Sequence, residues 1–158
     1  MTEQFKESLK ILEEIDNQLA EITETALEVY RNYCNDNSKS NWVTLSSVYG
    51  FLLIRACAFY DELTEQFEKL APASNDKELK KGISFYKGLF TNYDTKKLRN
   101  YLAHNRKRVS RDYVYINDED IRNLRVMKSH PEHNGFSVGA SLIIKSLHRL
   151  YPVAFENV

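Results

Sequence analysis

The chain has 158 residues, 42 % of them hydrophobic and 28 % charged, with 22 Lys and Arg against 22 Asp and Glu. That length suits one domain, residues 1–158, with a core large enough to dispense with disulfides or metal. Ordinary apolar content and balanced charge exclude a disordered chain and give no bulk attraction to nucleic acid or membrane, so any electrostatic function must come from local clustering.

Five Gly and three Pro punctuate the sequence, and apolar residues recur at threes and fours. The fold class expected is therefore all-α, a helical bundle with two long N-terminal helices and shorter C-terminal ones. In the first helix Leu12, Ile15, Leu19, Ile22, Ala26, Val29 and Tyr33 form an unbroken apolar seam, with Glu13, Glu21, Glu24 and Glu28 outside it. The seam stops at the polar loop "NDNSKSN", which favours a bundle helix over an independent coiled coil.

A second helix over residues 42–70 carries a broad stripe of Leu45, Val48, Tyr49, Leu52, Ala56, Phe59, Tyr60, Leu63 and Phe67. "APASND" closes it, with Pro72 as the stop and Ser74 to Asp76 as caps for the next helix. That third helix, residues 77–90, turns Leu79, Ile83, Tyr86 and Phe90 inward, and a fourth begins near Asp94 or Thr95. "DYVYIND" alternates briefly and reads as extended; a short helix follows from Asp118, then the loop "SHPEHNG", then a terminal helix over residues 138–151 with Ile143, Leu147 and Leu150 inward.

Cys34 and Cys57 sit in apolar helical contexts with no His or Cys at ligand spacing, so both are expected to be buried free thiols. The N-terminus "MTEQFKESLK" lacks signal-peptide features, and the longest apolar run, "VYGFLLIRACAFY", is interrupted by Arg55 and falls short of a bilayer span. The expected location is cytoplasmic, with no membrane partner.

Charge does cluster in "KKLRNYLAHNRKR", residues 96–108, where six Lys and Arg surround two Asn and one His, with no acid. On a wheel of about 100° per residue Leu98, Tyr101 and Leu102 share one side, which must face the core. Arg99 and His104 lie about 140° apart on the other side, and the arc between them holds Lys96, Asn100, Ala103 and Lys107. Ala103 offers little bulk there, so a substrate backbone or a second protein surface can approach closely.

A phosphate is the natural guest of that face. Arg99 supplies a planar multidentate donor, Lys96, Lys107 and Arg108 add attraction at longer range, and His104 can remove or deliver a proton near neutral pH. Asn100, one turn before His104, can hold the imidazole or an oxygen without titrating. RNA carries its own nucleophile, the 2′-hydroxyl, so these groups could cleave it with no metal or other cofactor; DNA, which lacks the hydroxyl, is excluded as substrate.

With these residues the chain resembles the HEPN superfamily: "RNYLAH", Arg99 to His104, has the Arg-Asn-x-x-x-His form of that superfamily's motif, placed near the start of a basic helix past the midpoint. "RACAFYDELTEQF" in the second helix is similar to the Arg and Asp pattern of abortive-infection-type HEPN proteins. The resemblance covers most of the chain. It implies a HEPN-like bundle that forms a homodimer with two motifs facing each other, and a metal-independent endoribonuclease of toxin–antitoxin or phage-defence systems, with an antitoxin or regulatory protein as partner. By the resemblance Arg99 and His104 are catalytic and Asn100 orients them. Some HEPN toxins carry Tyr three positions after the His, where this chain departs with Lys107. Many superfamily members lack nuclease activity, which leaves open a non-catalytic bundle that binds RNA, a nucleotide or a protein.

"HPEH", His130 to His133, places two imidazoles near Glu132, but Pro131 spoils a helical ligand pair, so a loop is expected and no metal. His148 reads as a boundary residue on the last helix. Arg55, a cation inside an apolar helix, is expected to form a partly buried ion pair with Asp61, Glu62 or another helix. Tyr101, beside the motif, reads as a core residue.

Overall fold

A computed structural model describes residues 1–66, 75–91, 99 and 135–156. Its architecture is all-α: α1 (Glu3–Asn35) and α2 (Lys39–Glu65) are long, and α3 (Lys77–Thr91), α4 (Gly135–Leu150) and α5 (Pro152–Phe155) are shorter. Among the described residues no strand occurs. The segment "DYVYIND" read as extended, the short helix from Asp118, the "HPEH" loop, Tyr101 and the closing residues Phe67, Pro72 and Ser74 lie outside the described residues.

Helix α1 starts where Thr2 Oγ1 accepts a hydrogen bond from the Phe5 N–H at 3.2 Å, and its 33 residues extend about 50 Å. Every residue of the apolar seam is buried or packed against the core, and the same spacing continues upstream to Leu9 and Phe5. Helix α2 begins three residues before the expected Trp42 because Ser38 Oγ caps the Asn41 N–H at 3.3 Å. Asn41 Nδ2 donates to the Asp36 carbonyl at 2.7 Å, so the short turn folds α2 back along α1. Leu19, Leu52 and Leu53 are wholly buried. Truncating one of them to Ala would cost about 2–5 kcal/mol through lost transfer energy and the cavity left behind.

Helix α2 corrects one expectation. Its 27 residues are long and apolar enough, by length and composition, to cross a bilayer, with mean hydropathy 1.5 over the most apolar stretch of 18 residues. Half of that stretch is buried inside the bundle, where it packs on α1 and against Tyr86 and Phe90 of α3.

In the second pair, α3 and α4, a glycine of each helix lies against a side chain of the other. A Cβ added at Gly139 would stand 2.8 Å from Tyr86 Cδ2, and one at Gly82 would stand 3.0 Å from Ile143 Cγ1. Glycine is needed at these points for closeness. Asp76 caps α3 as expected, accepting the Leu79 N–H at 2.9 Å, and its other oxygen takes Arg149 Nη2 of α4 at 2.6 Å. Helix α4 begins at Gly135, three residues before the expected Val138, so that Phe136 is already wholly buried.

The two pairs join through α1 and α4. Ser141 Oγ donates to Asp16 Oδ1 at 2.9 Å, and His148 Nε2 shares a hydrogen bond with Glu13 Oε1 at 2.6 Å, which places His148 at the boundary as expected. Pro152 opens α5, Phe155 stacks on the His148 ring at 3.8 Å, and Tyr151 meets Phe5 edge-on at 5.4 Å. Buried residues of all five helices belong to one core cluster. Cys57 lies in it, whereas Cys34 is exposed, against expectation: one position past the seam residue Tyr33, it turns out of the contact with α2.

Candidate functional site

On a wheel of about 100° per residue, Arg55 borders the apolar stripe of α2, whereas Asp61 lies about 120° further round, on the polar side. Arg99, whose backbone is helical, reaches the Asp61 flank, with Nη1 3.6 Å from Asp61 Oδ2. That separation is an ion pair longer than a direct hydrogen bond. The Arg99 side chain is 25 % exposed and Asp61 45 % exposed, so the pair contributes at most about 1 kcal/mol to stability. Its chemical effect is orientation: one edge of the guanidinium is drawn to Asp61.

The surroundings of Asp61 are stiff. The preceding Tyr60 stacks on Phe90 at 4.2 Å with the planes 13° apart, and Phe90 meets Phe136 at 5.7 Å. Phe59 packs on Tyr86 at 5.0 Å, one turn from Phe90. An aromatic joint of α2, α3 and α4 thus fixes the turn of α2 from which Asp61 projects. Burial pushes the Tyr86 phenol well above its usual range, and its hydroxyl has no hydrogen-bond partner, so this ring serves packing.

Of the residues singled out in the sequence, the structure places Arg99 and brings it to Asp61. Asn100, His104, Lys96, Lys107 and Arg108 lie outside the described residues. Among the described residues the pairing expected of Arg55 with Asp61 or Glu62 is not found: Asp61 meets Arg99, and Arg55 Nε is buried without a hydrogen-bond partner. The reason is helical geometry. Asp61 lies about 120° around α2 from Arg55, and Glu62 stands about 10.5 Å further along the axis. The wheel that located the apolar stripe also held this signal, since Asp61 falls on the flank away from Arg55.

Among the described residues, two carboxylates elsewhere in the bundle are shifted from their ordinary range. Burial raises the pKa of Asp16, and the neighbouring Glu13 adds to this against the opposing Ser141 hydrogen bond and His148. The Leu79 N–H and the Arg149 guanidinium hold Asp76 below the usual carboxylate range. Both belong to the joints between helices. No cluster of three or more His, Cys, Asp or Glu residues suited to a metal ion occurs among the described residues. Comparison with protein-family models, with curated proteins and with solved structures finds no match.

Proposed function

We propose that this chain is a metal-independent endoribonuclease of HEPN type, acting as a homodimer in the cytoplasm within a toxin–antitoxin or phage-defence system. The observation that carries the reading is the Arg99–Asn100–His104 spacing in a basic, acid-free stretch of a neutral chain. The ion pair that orients Arg99 on the rigid flank of α2 supports it.

In the proposed reaction His104 accepts the proton of the 2′-hydroxyl as O2′ attacks the adjacent phosphorus. The bond from phosphorus to the 5′-oxygen breaks, and that oxygen takes a proton from the imidazolium of the same residue or of its copy in the dimer. The products are a 2′,3′-cyclic phosphate and a 5′-hydroxyl. Arg99 meets the negative charge that grows on the non-bridging oxygens, Asn100 holds the imidazole, and Lys96, Lys107 and Arg108 guide the RNA backbone. The nucleophile comes from the substrate, so no step needs a metal.

Incubation of the purified protein with RNA in EDTA tests this reading. Cleavage that is lost in both Arg99→Ala and His104→Ala supports it; cleavage that survives in both removes the assignment. A non-catalytic bundle using the same face to bind RNA, a nucleotide or a protein is the second reading. It is favoured by the same ion pair, since Asp61 competes with a phosphate for Arg99. Its sign is salt-sensitive binding without cleavage, weakened evenly by loss of Lys96, Lys107 or Arg108.

A further inference from the structure

An open groove of about 410 Å³ runs between α1 and α2, lined by Glu21, Ile22, Thr25, Ser47, Val48 and Phe51. Its α1 wall lies on the flank opposite Glu13 and Asp16, which meet α4, so no described helix other than α1 and α2 lines it. Phe51 is 53 % exposed at its edge, unusual for an aromatic ring in the middle of a core helix. Arg55 follows one turn later on the same face of α2. Side chains of a helix lean toward its N-terminus, which carries the Arg55 stem back over the turn of Phe51.

Arg55 is the informative residue. Its Nε is buried with no hydrogen-bond partner, and among the described residues no carboxylate pairs with it. A half-buried cation beside an exposed apolar groove favours a ligand that brings an anionic group with it. The charge around the groove decides what brings that group. Helix α1 carries eight carboxylates against three basic side chains, and Glu14, Glu21 and Glu28 recur every seventh residue as an exposed row beside the groove. A nucleic acid backbone is repelled along that row. A second copy docked through the same face would set the row against itself. A protein helix with basic flanks is attracted, and its heptad rise matches the spacing of the row.

We propose that this groove is the docking site for an amphipathic helix of a partner protein. The helix lays an apolar stripe on Phe51, Val48 and Ile22. It presents Lys or Arg at heptad spacing to Glu14, Glu21 and Glu28, and one carboxylate to Arg55. The proposal does not depend on the nuclease reading, because it uses neither Arg99 nor the basic stretch.

The test uses the full-length protein and a labelled synthetic peptide of about three heptads with a Leu stripe, Lys flanks and one Glu, read by fluorescence anisotropy. Binding is expected to weaken by about tenfold or more in Phe51→Ser and in Glu21→Lys. Arg55→Gln should weaken the Glu peptide and leave its Gln counterpart unchanged, which isolates the single contact. Phe85→Ser, at an exposed ring on α3, should bind as the parent does. Three results overturn the proposal: no binding of the basic peptide, equal binding of a peptide with acidic flanks, or a Phe51→Ser defect confined to RNA binding or self-association.

Discussion

The two flanks of α2 treat charge in opposite ways. On one, Asp61 meets Arg99 at 3.6 Å and the pair stays partly open to solvent; on the other, Arg55 carries a buried Nε with no partner. Elsewhere, two polar side chains of α4 are met within the chain, Arg149 by Asp76 and His148 by Glu13, each at 2.6 Å. The difference separates ionic contacts that fix the chain to itself from a cation left for something else. On the proposed readings, Asp61 orients Arg99 for its chemistry and Arg55 awaits a carboxylate of a docked helix.

The comparison can be broken most sharply at Asp61. Asp61→Ala should lower RNA cleavage by roughly tenfold or more with the melting temperature nearly unchanged, because it removes one contact that orients the Arg99 guanidinium and little packing. In an Arg99→Ala background the same change should have no further effect. Additive losses would mean that Asp61 acts through some other residue.

Gly139→Ala separates packing from charge. Its Cβ would meet Tyr86 Cδ2 at 2.8 Å, so denaturant unfolding should show a loss of about 1–3 kcal/mol of similar size across the pH range. Asp76→Asn keeps a side chain able to cap α3 but removes the negative charge that Arg149 meets. Asp76 titrates lower in the folded chain than in the unfolded one. Its stabilising contribution is therefore present above the usual carboxylate range and is lost as pH falls through the lower folded value. The Asn variant should be less stable at neutral pH, and the difference should close in acid.

Arg55 should give the smallest effect. Arg55→Met removes a buried donor that has no partner, so stability should be unchanged or rise by about 1 kcal/mol, with RNA cleavage as in the parent. A clear loss of stability would show that Arg55 is satisfied within the chain and would erase the contrast between the flanks.

Much of this arrangement was legible in the sequence. Spacing by threes and fours located the inward faces of α1, α2, α3 and α4, because burial of one helix face is a local pattern. Asp76 was legible as a cap because its side chain binds an N–H three residues on. The partner of Asp61 was not: an ion pair between distant segments leaves no periodic trace, and Arg99 lies 38 residues beyond Asp61. The early start of α4 was hidden because Gly135 reads as a loop residue, while the closeness of Gly135 and Gly139 to Phe85 and Tyr86 makes glycine useful inside the helix. In the candidate site, the residue types and spacing of Arg99, Asn100 and His104 were legible, and the carboxylate that holds Arg99 was not.

The proposed cleavage of RNA uses the substrate's own 2′-hydroxyl. Its most direct test is a pair of single-stranded oligonucleotides of one sequence, one all-ribose and one all-2′-deoxy, incubated with the full-length protein in EDTA, with the product ends identified by mass. The ribose strand should be cut to 2′,3′-cyclic phosphate and 5′-hydroxyl ends while the deoxy strand stays whole. An intact ribose strand, or a cut deoxy strand, would contradict the proposed chemistry.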